Sequence, residues 1–123
     1  MNDTIRFAVR TLYGKLSQDG WYMEGLEMDE TYFILTNNKI KKVKIEGNSN
    51  SSQVTIKLFN LELSQTGVKF YLNTLGCITV DIYYQGNLLD SRNFSLVYEY
   101  SDAINYFCKS VRKLINDVPE LGY

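Results

Sequence analysis

The 123 residues contain no histidine. That absence removes the usual general base near neutral pH, the usual activator of a Ser or Cys nucleophile, and the commonest transition-metal ligand. Cys77 and Cys108 fall on separate predicted elements, and two cysteines without histidine do not make a structural zinc site of the usual kinds. Neither of the two standard Gly-rich phosphate loops occurs. No metal and no cofactor is expected, and no catalytic residue is assigned.

Carboxylate chemistry is the one catalytic route left open. Asp81 lies in an alternating run beside Thr79 and Tyr83, and a hairpin can bring Arg92 opposite it. With a second carboxylate in reach, Asp81 could serve a hydrolase. An ion pair across two strands on an exposed face is the commoner use of such residues. Glu24, Glu27, Asp29 and Glu30 form an acidic stretch without the spacing of an EF-hand loop, so a solvated connection outweighs a Ca²⁺ or Mg²⁺ site.

Binding chemistry has more to work with. Lys39, Lys41, Lys42 and Lys44 are the densest basic run and could contact phosphates, but lysines are also how sheets protect an exposed edge strand. No arginine or interleaved aromatic accompanies them, and edge protection is favoured over nucleic acid. Lys109, Arg112 and Lys113 read as the solvated face of a helix, and become an anion-binding surface only if Arg6 and Arg10 join them. Tyr71 and Tyr83 are expected to project from one sheet face with Lys69, Thr79 and Asp81, and Arg92 is placed with them. Tyrosine supplies large, rigid, amphipathic area and is enriched where proteins meet, although it also packs on strands simply as a good β-former.

The elements that must position these residues follow from periodicity. Ile5, Ala8, Val9, Leu12 and Leu16 recur at offsets of three and four, predicting a helix over about 3–17 with Asn2 or Asp3 as its cap. Short strands are expected at 21–24, 31–36 and 40–46, the last two joined by a turn at 37–39. Residues 47–52 (GNSNSS) read as a mobile loop between strands. A long strand over 53–63 changes phase at Leu58-Phe59, and Val68, Phe70 and Leu72 face inward from the next.

In the run 77–84, Ile78, Val80 and Ile82 alternate with Thr79, Asp81 and Tyr83, marking a core face and an outer face. A second strand is expected over 88–100; a two-residue Gly86-Asn87 turn pairs Tyr84 with Leu89 and Asp81 with Arg92, and the apolar positions Phe94, Leu96 and Tyr98 require a bulge near 91–93. Ser101-Asp102 caps a final helix over about 102–118, with Ile104, Phe107, Cys108, Val111, Ile115 and Val118 as its apolar stripe and Pro119 as its stop. The whole is a single domain, 1–123. Its fold class is α+β: a two-layer sandwich with a mostly antiparallel sheet of five to seven strands and N- and C-terminal helices on one face.

A net charge of −1 provides no global field to recruit nucleic acid or an anionic membrane, and it disfavours a DNA mimic. No apolar run is long enough to span a bilayer, and the first residues lack the features of a secretory signal. Two unpaired cysteines then suit a reducing, cytoplasmic compartment.

The expected function is a non-enzymatic protein-binding module acting through an exposed sheet face and edge. One form of it is a phage or mobile-element inhibitor of a host defence protein, because Asn, Lys and Tyr usage suits an AT-rich genome. The alternatives are a nucleic-acid-contacting accessory protein using Lys39–Lys44, and a homodimer or larger homo-oligomeric assembly factor.

Overall fold

The structure, a computed structural model, describes residues 2–25, 30–59 and 65–117. Its elements run α1 (Asp3–Gln18), β1 (Trp21–Met23), β2 (Tyr32–Asn37), β3 (Ile40–Ser49), β4 (Gln53–Phe59), β5 (Thr66–Leu72), β6 (Cys77–Tyr84), β7 (Asn87–Ser95) and α2 (Tyr100–Asp117). The seven strands among the described residues join one sheet whose spatial order is the chain order, and every neighbouring pair is antiparallel. The helices pack on each other and on one face of this meander, α1 against β1 and β4, α2 against β5, β6 and β7. The α+β two-layer architecture is therefore the one that one-sided helices and alternating strands predict.

Each layer forms for a local reason. In α1 the five stripe residues are fully buried, and the Asn2 side chain accepts the Thr4 N–H at 2.8 Å, capping the first turn. Gly20, with φ of 97°, turns the chain out of the helix into β1. In α2 the buried side chains include Ile104, Phe107, Cys108, Val111 and Leu114. Phe107 meets Phe70 of β5 with ring centroids 5.1 Å apart, at the centre of the core. That helix starts earlier than Ser101-Asp102 would have it: the Glu99 carbonyl accepts the Ala103 N–H at 2.9 Å, and the Glu99 carboxylate accepts the Ser95 N–H at 3.0 Å. Two hydrogen bonds of 2.8 and 2.9 Å from Arg112 to Asp19 tie α2 to the end of α1.

Cys77 and Cys108 are free, and Cys108 is 1% exposed. Burial pushes the Cys108 thiol from 9.0 up to about 11, against a smaller opposing pull from Lys15 and Arg112. Below the unfolded value the thiol is neutral in both states. Between about 9 and 11 the unfolded thiol ionises while the folded one keeps its proton, so a contribution of about 2–3 kcal/mol is lost as pH rises through that window. Urea midpoints of the parent and of Cys108→Ala, followed upward in pH, should show the parent losing stability more steeply.

Three local expectations are corrected. Residues 47–49 are not loop: β3 continues through Gly47 to Ser49, because the ring of buried Phe33 lies where a side chain at 47 would stand (a Cβ there would be 2.1 Å from Phe33 Cζ). β3 is not an edge, since it runs between β2 and β4, so its lysines do not serve as edge protection.

The third correction concerns the last hairpin, which turns at Gln85-Gly86 and pairs Tyr84 with Asn87. The φ values of 49° and 85° at those positions are those of a type I′ turn. The register shift comes early, with Leu89 left over between the pairs Ile82–Asp90 and Tyr83–Leu88. Gln85 is strained there, and Gln85→Asn, which creates the favoured Asn-Gly turn, should raise stability by about 0.5–1 kcal/mol in urea unfolding. The expected change of phase after Leu58 falls at 59–63, where 60–63 and the Phe59 side chain lie outside the described residues, as does Val118.

Candidate functional site

The face of the sheet away from the helices is assembled by cross-strand pairing. Asn48, Thr55, Lys69, Asp81 and Ser91 stand opposite one another in one row, and Gln53, Tyr71, Thr79 and Asn93 in the next. A third row runs Glu46, Lys57, Gly67, Tyr83 and Leu88. Strand parity thus gathers Lys69, Tyr71, Thr79, Asp81 and Tyr83 on one surface, as the alternation of 68–72 and 77–84 predicts.

Glycine at 67 leaves the third row without a side chain between Lys57 and Tyr83, and a groove of about 600 Å³ opens there, lined also by Thr55 and Lys69. No other residue fits at 67. The strands approach so closely that a Cβ would stand 1.9 Å from the Ile56 carbonyl oxygen.

The side chains around the groove hold one another. Lys69 Nζ sits 4.8 Å from the centroid of the Tyr71 ring, within cation–π range. The Ser91 hydroxyl donates to Asp81 at 2.5 Å, and Thr79 donates to Asn93 Oδ1 at 2.6 Å while accepting from Asn73 Nδ2 at 3.2 Å. Burial, and then the negative charge of Asp81, hold the Tyr71 phenol above its ordinary value.

Asp81 and Thr79 are only 7% and 5% exposed although no helix covers them. They form a hydrogen-bonded underlayer, and Lys69, Tyr71 and Tyr83 are the more accessible groups. The residues directly opposite Asp81 are Lys69 and Ser91, so the second carboxylate that a hydrolase reading needs is not across the strands.

Arg92 does not belong to this surface. The early bulge pairs it with Val80, which puts it on the helix side of β7. There its guanidinium lies 4.7 Å from the centroid of Tyr106 and 3.3 Å from Asp90. The expected Asp81–Arg92 pair is replaced by Asp81–Ser91.

The basic groups are also distributed differently. Lys44 is bound by Glu24 at 2.7 Å, Lys39 is exposed, and the side chains of Lys41 and Lys42 lie outside the described residues. Arg6 and Arg10 both hold Glu30, at 2.9 and 2.5 Å, instead of joining the α2 cations. Burial opposes ionisation of Glu30, but Arg10 and Arg6 outweigh it and keep its carboxyl below the ordinary value. Lys109, Arg112 and Lys113 are instead joined by Lys15 around a separate depression. Glu27 and Asp29 lie outside the described residues.

One further surface lies beyond the end of the sheet. Leu75, Val97 and Tyr98 are 86%, 78% and 89% exposed, in two loops held together by the Leu96 N–H on the Gly76 carbonyl at 3.2 Å. Leu75 sits in a turn, off both periods, whereas Val97 and Tyr98 belong to the run 88–100 that alternation extends as one strand. β7 instead ends at Ser95, which leaves both in the connection to α2 and Tyr98 out of the apolar set. Among the described residues, no cluster of three or more Cys, Asp or Glu is placed to hold a metal, and no helix is long and apolar enough to cross a membrane. Compared with protein-family models, curated proteins and solved structures, the chain has no match.

Proposed function

We propose that this chain is a small non-enzymatic module that captures another protein on the open face of its sheet. The observation that carries this is the grouping of Lys69, Tyr71 and Tyr83 around the Gly67 groove on a face that neither helix covers. Tyrosines of this kind offer contact area at low entropic cost, and the part-buried Asp81–Ser91 and Thr79–Asn93 bonds stiffen the strands beside them. In its narrower form the module is a stoichiometric inhibitor of a host protein, of phage or mobile-element origin. The lack of histidine chemistry and the Asn-, Lys- and Tyr-rich composition support that form.

A nucleic-acid role has weaker support, since Lys44 is engaged by Glu24 and Lys57 stands opposite Glu46. Two assays separate the readings. Capture from a host lysate followed by mass spectrometry should return a protein that Tyr71→Ser/Tyr83→Ser no longer retains, the variant keeping its far-UV spectrum. Oligonucleotide binding that falls steeply with salt would instead favour the lysines.

A further inference from the structure

The sheet has two edges of unequal length, three-residue β1 and nine-residue β7. On β7 the direction of each amide can be read from its ends. The Leu96 N–H bonds the Gly76 carbonyl, and the alternation of an antiparallel ladder then turns the amides of Phe94, Arg92 and Asp90 toward β6. Those of Ser91, Asn93 and Ser95 face away from the sheet. Two of them are met by local carboxylates, Ser91 N–H by Asp90 Oδ1 at 3.0 Å and Ser95 N–H by Glu99 at 3.0 Å, as outward-facing amides would be.

We propose that this edge is a self-association surface, pairing antiparallel with β7 of a second copy about a two-fold axis through Ser91. Side-chain charge selects the occupant and the register. A two-fold at Ser91 sets Asp90 opposite the partner's Arg92 and Arg92 opposite the partner's Asp90. Both are non-hydrogen-bonded positions, where side chains come closest. The two Ser91 residues exchange the central N–H and C=O bonds, each N–H leaving the Asp90 Oδ1 that it meets in the single chain. A two-fold at Arg92 would oppose two guanidinium groups, and one at Asn93 would leave Asp90 with no charge across from it.

The Asp90 and Arg92 side chains are 43% and 60% exposed, open to a partner approaching in the plane of the sheet. Leu88 and Leu89, 54% and 60% exposed, extend the contact with apolar area. The bulge at Leu89 ends regular pairing there, which keeps the contact short and the dimer weak. The open face is not covered by this pairing, so the inference does not rest on the proposed partner binding.

Sedimentation velocity on the full chain between about 1 and 100 µM tests it, a range suited to a weak association. The parent chain should move from monomer toward dimer with concentration. The Tyr106 hydroxyl donates a hydrogen bond to Asp90 Oδ2; Arg92→Glu leaves that bond in place but opposes like charges twice across the two-fold, and should weaken the dimer by about tenfold or more. Asp90→Arg should do the same. An equimolar mixture of the two variants, both folded by circular dichroism, should recover the dimer, because each charge on one chain then meets its opposite on the other. A parent chain that stays monomeric throughout, an Arg92→Glu dimer as strong as the parent's, or a mixture that fails to associate would each overturn the proposal.

Discussion

Phe107→Ala is expected to cost about 3–5 kcal/mol, a large share of the stability of a domain this size. The ring is fully buried, packs 5.1 Å from Phe70, and joins the helix layer to the middle of the sheet. Its removal forfeits the transfer energy of the side chain and leaves a cavity between α2 and β5 that the rigid strands cannot close. Urea unfolding should show a lower midpoint at unchanged slope. Phe7→Ala is the matched control. Phe7 is 51% exposed and touches Tyr100 at 5.8 Å, so its loss should cost about 1 kcal/mol or less.

Gly67→Ala is the second large effect, and it acts through the backbone. The added methyl would lie 1.9 Å from the Ile56 carbonyl oxygen and 3.0 Å from Lys57 Cα. Neither is the movable end of a side chain, so β4 and β5 must part at the floor of the groove. About 3 kcal/mol or more is expected, the upper end for overpacking, again read from the urea midpoint. Gly14→Ala is the contrast: it lies in α1 with nothing within 4 Å of the new Cβ, and should gain about 1 kcal/mol from helix propensity.

The parts legible in the sequence were those governed by local periodicity. The α1 stripe, the inward set Val68, Phe70 and Leu72, and the alternation of 77–84 anticipated α1, the sheet and the open-face positions of β5 and β6. The features that were not legible depend on partners distant in sequence. Gly47 looks like loop until Phe33, on another strand, is seen to fill the space over it. Arg92 looks like a neighbour of Asp81 until Leu89 is left out of the ladder, a one-residue slip that sends the side chain to the other face. The groove was hidden for a related reason: it is made by a missing side chain, and Gly67 reads as the end of a turn over 65–67 until β5 is seen to begin at Thr66. The exposed trio Leu75, Val97 and Tyr98 depends on two loops meeting, which no period encodes.

The geometry of the open face bears on the proposed partner capture. Its polar groups are already bonded to each other below the contact level, with Asp81 on Ser91 and Thr79 on Asn93. A partner covering Lys69, Tyr71 and Tyr83 would therefore bury ring area without stranding a carboxylate, which keeps the desolvation cost low. Clusters of buried aromatic contacts are where binding energy concentrates, so the effect of losing both tyrosines should be large while the fold stays intact.

The most direct measurement is the affinity of a purified captured protein for three forms of the chain: the parent, Tyr71→Ser/Tyr83→Ser, and Lys109→Ala/Lys113→Ala on the helix side. An open-face module should lose at least about tenfold in affinity in the tyrosine variant, because two interface anchors are removed, and should be unaffected by the lysine variant. Undiminished binding by the tyrosine variant, with loss in the lysine variant, would contradict the assignment of the open face.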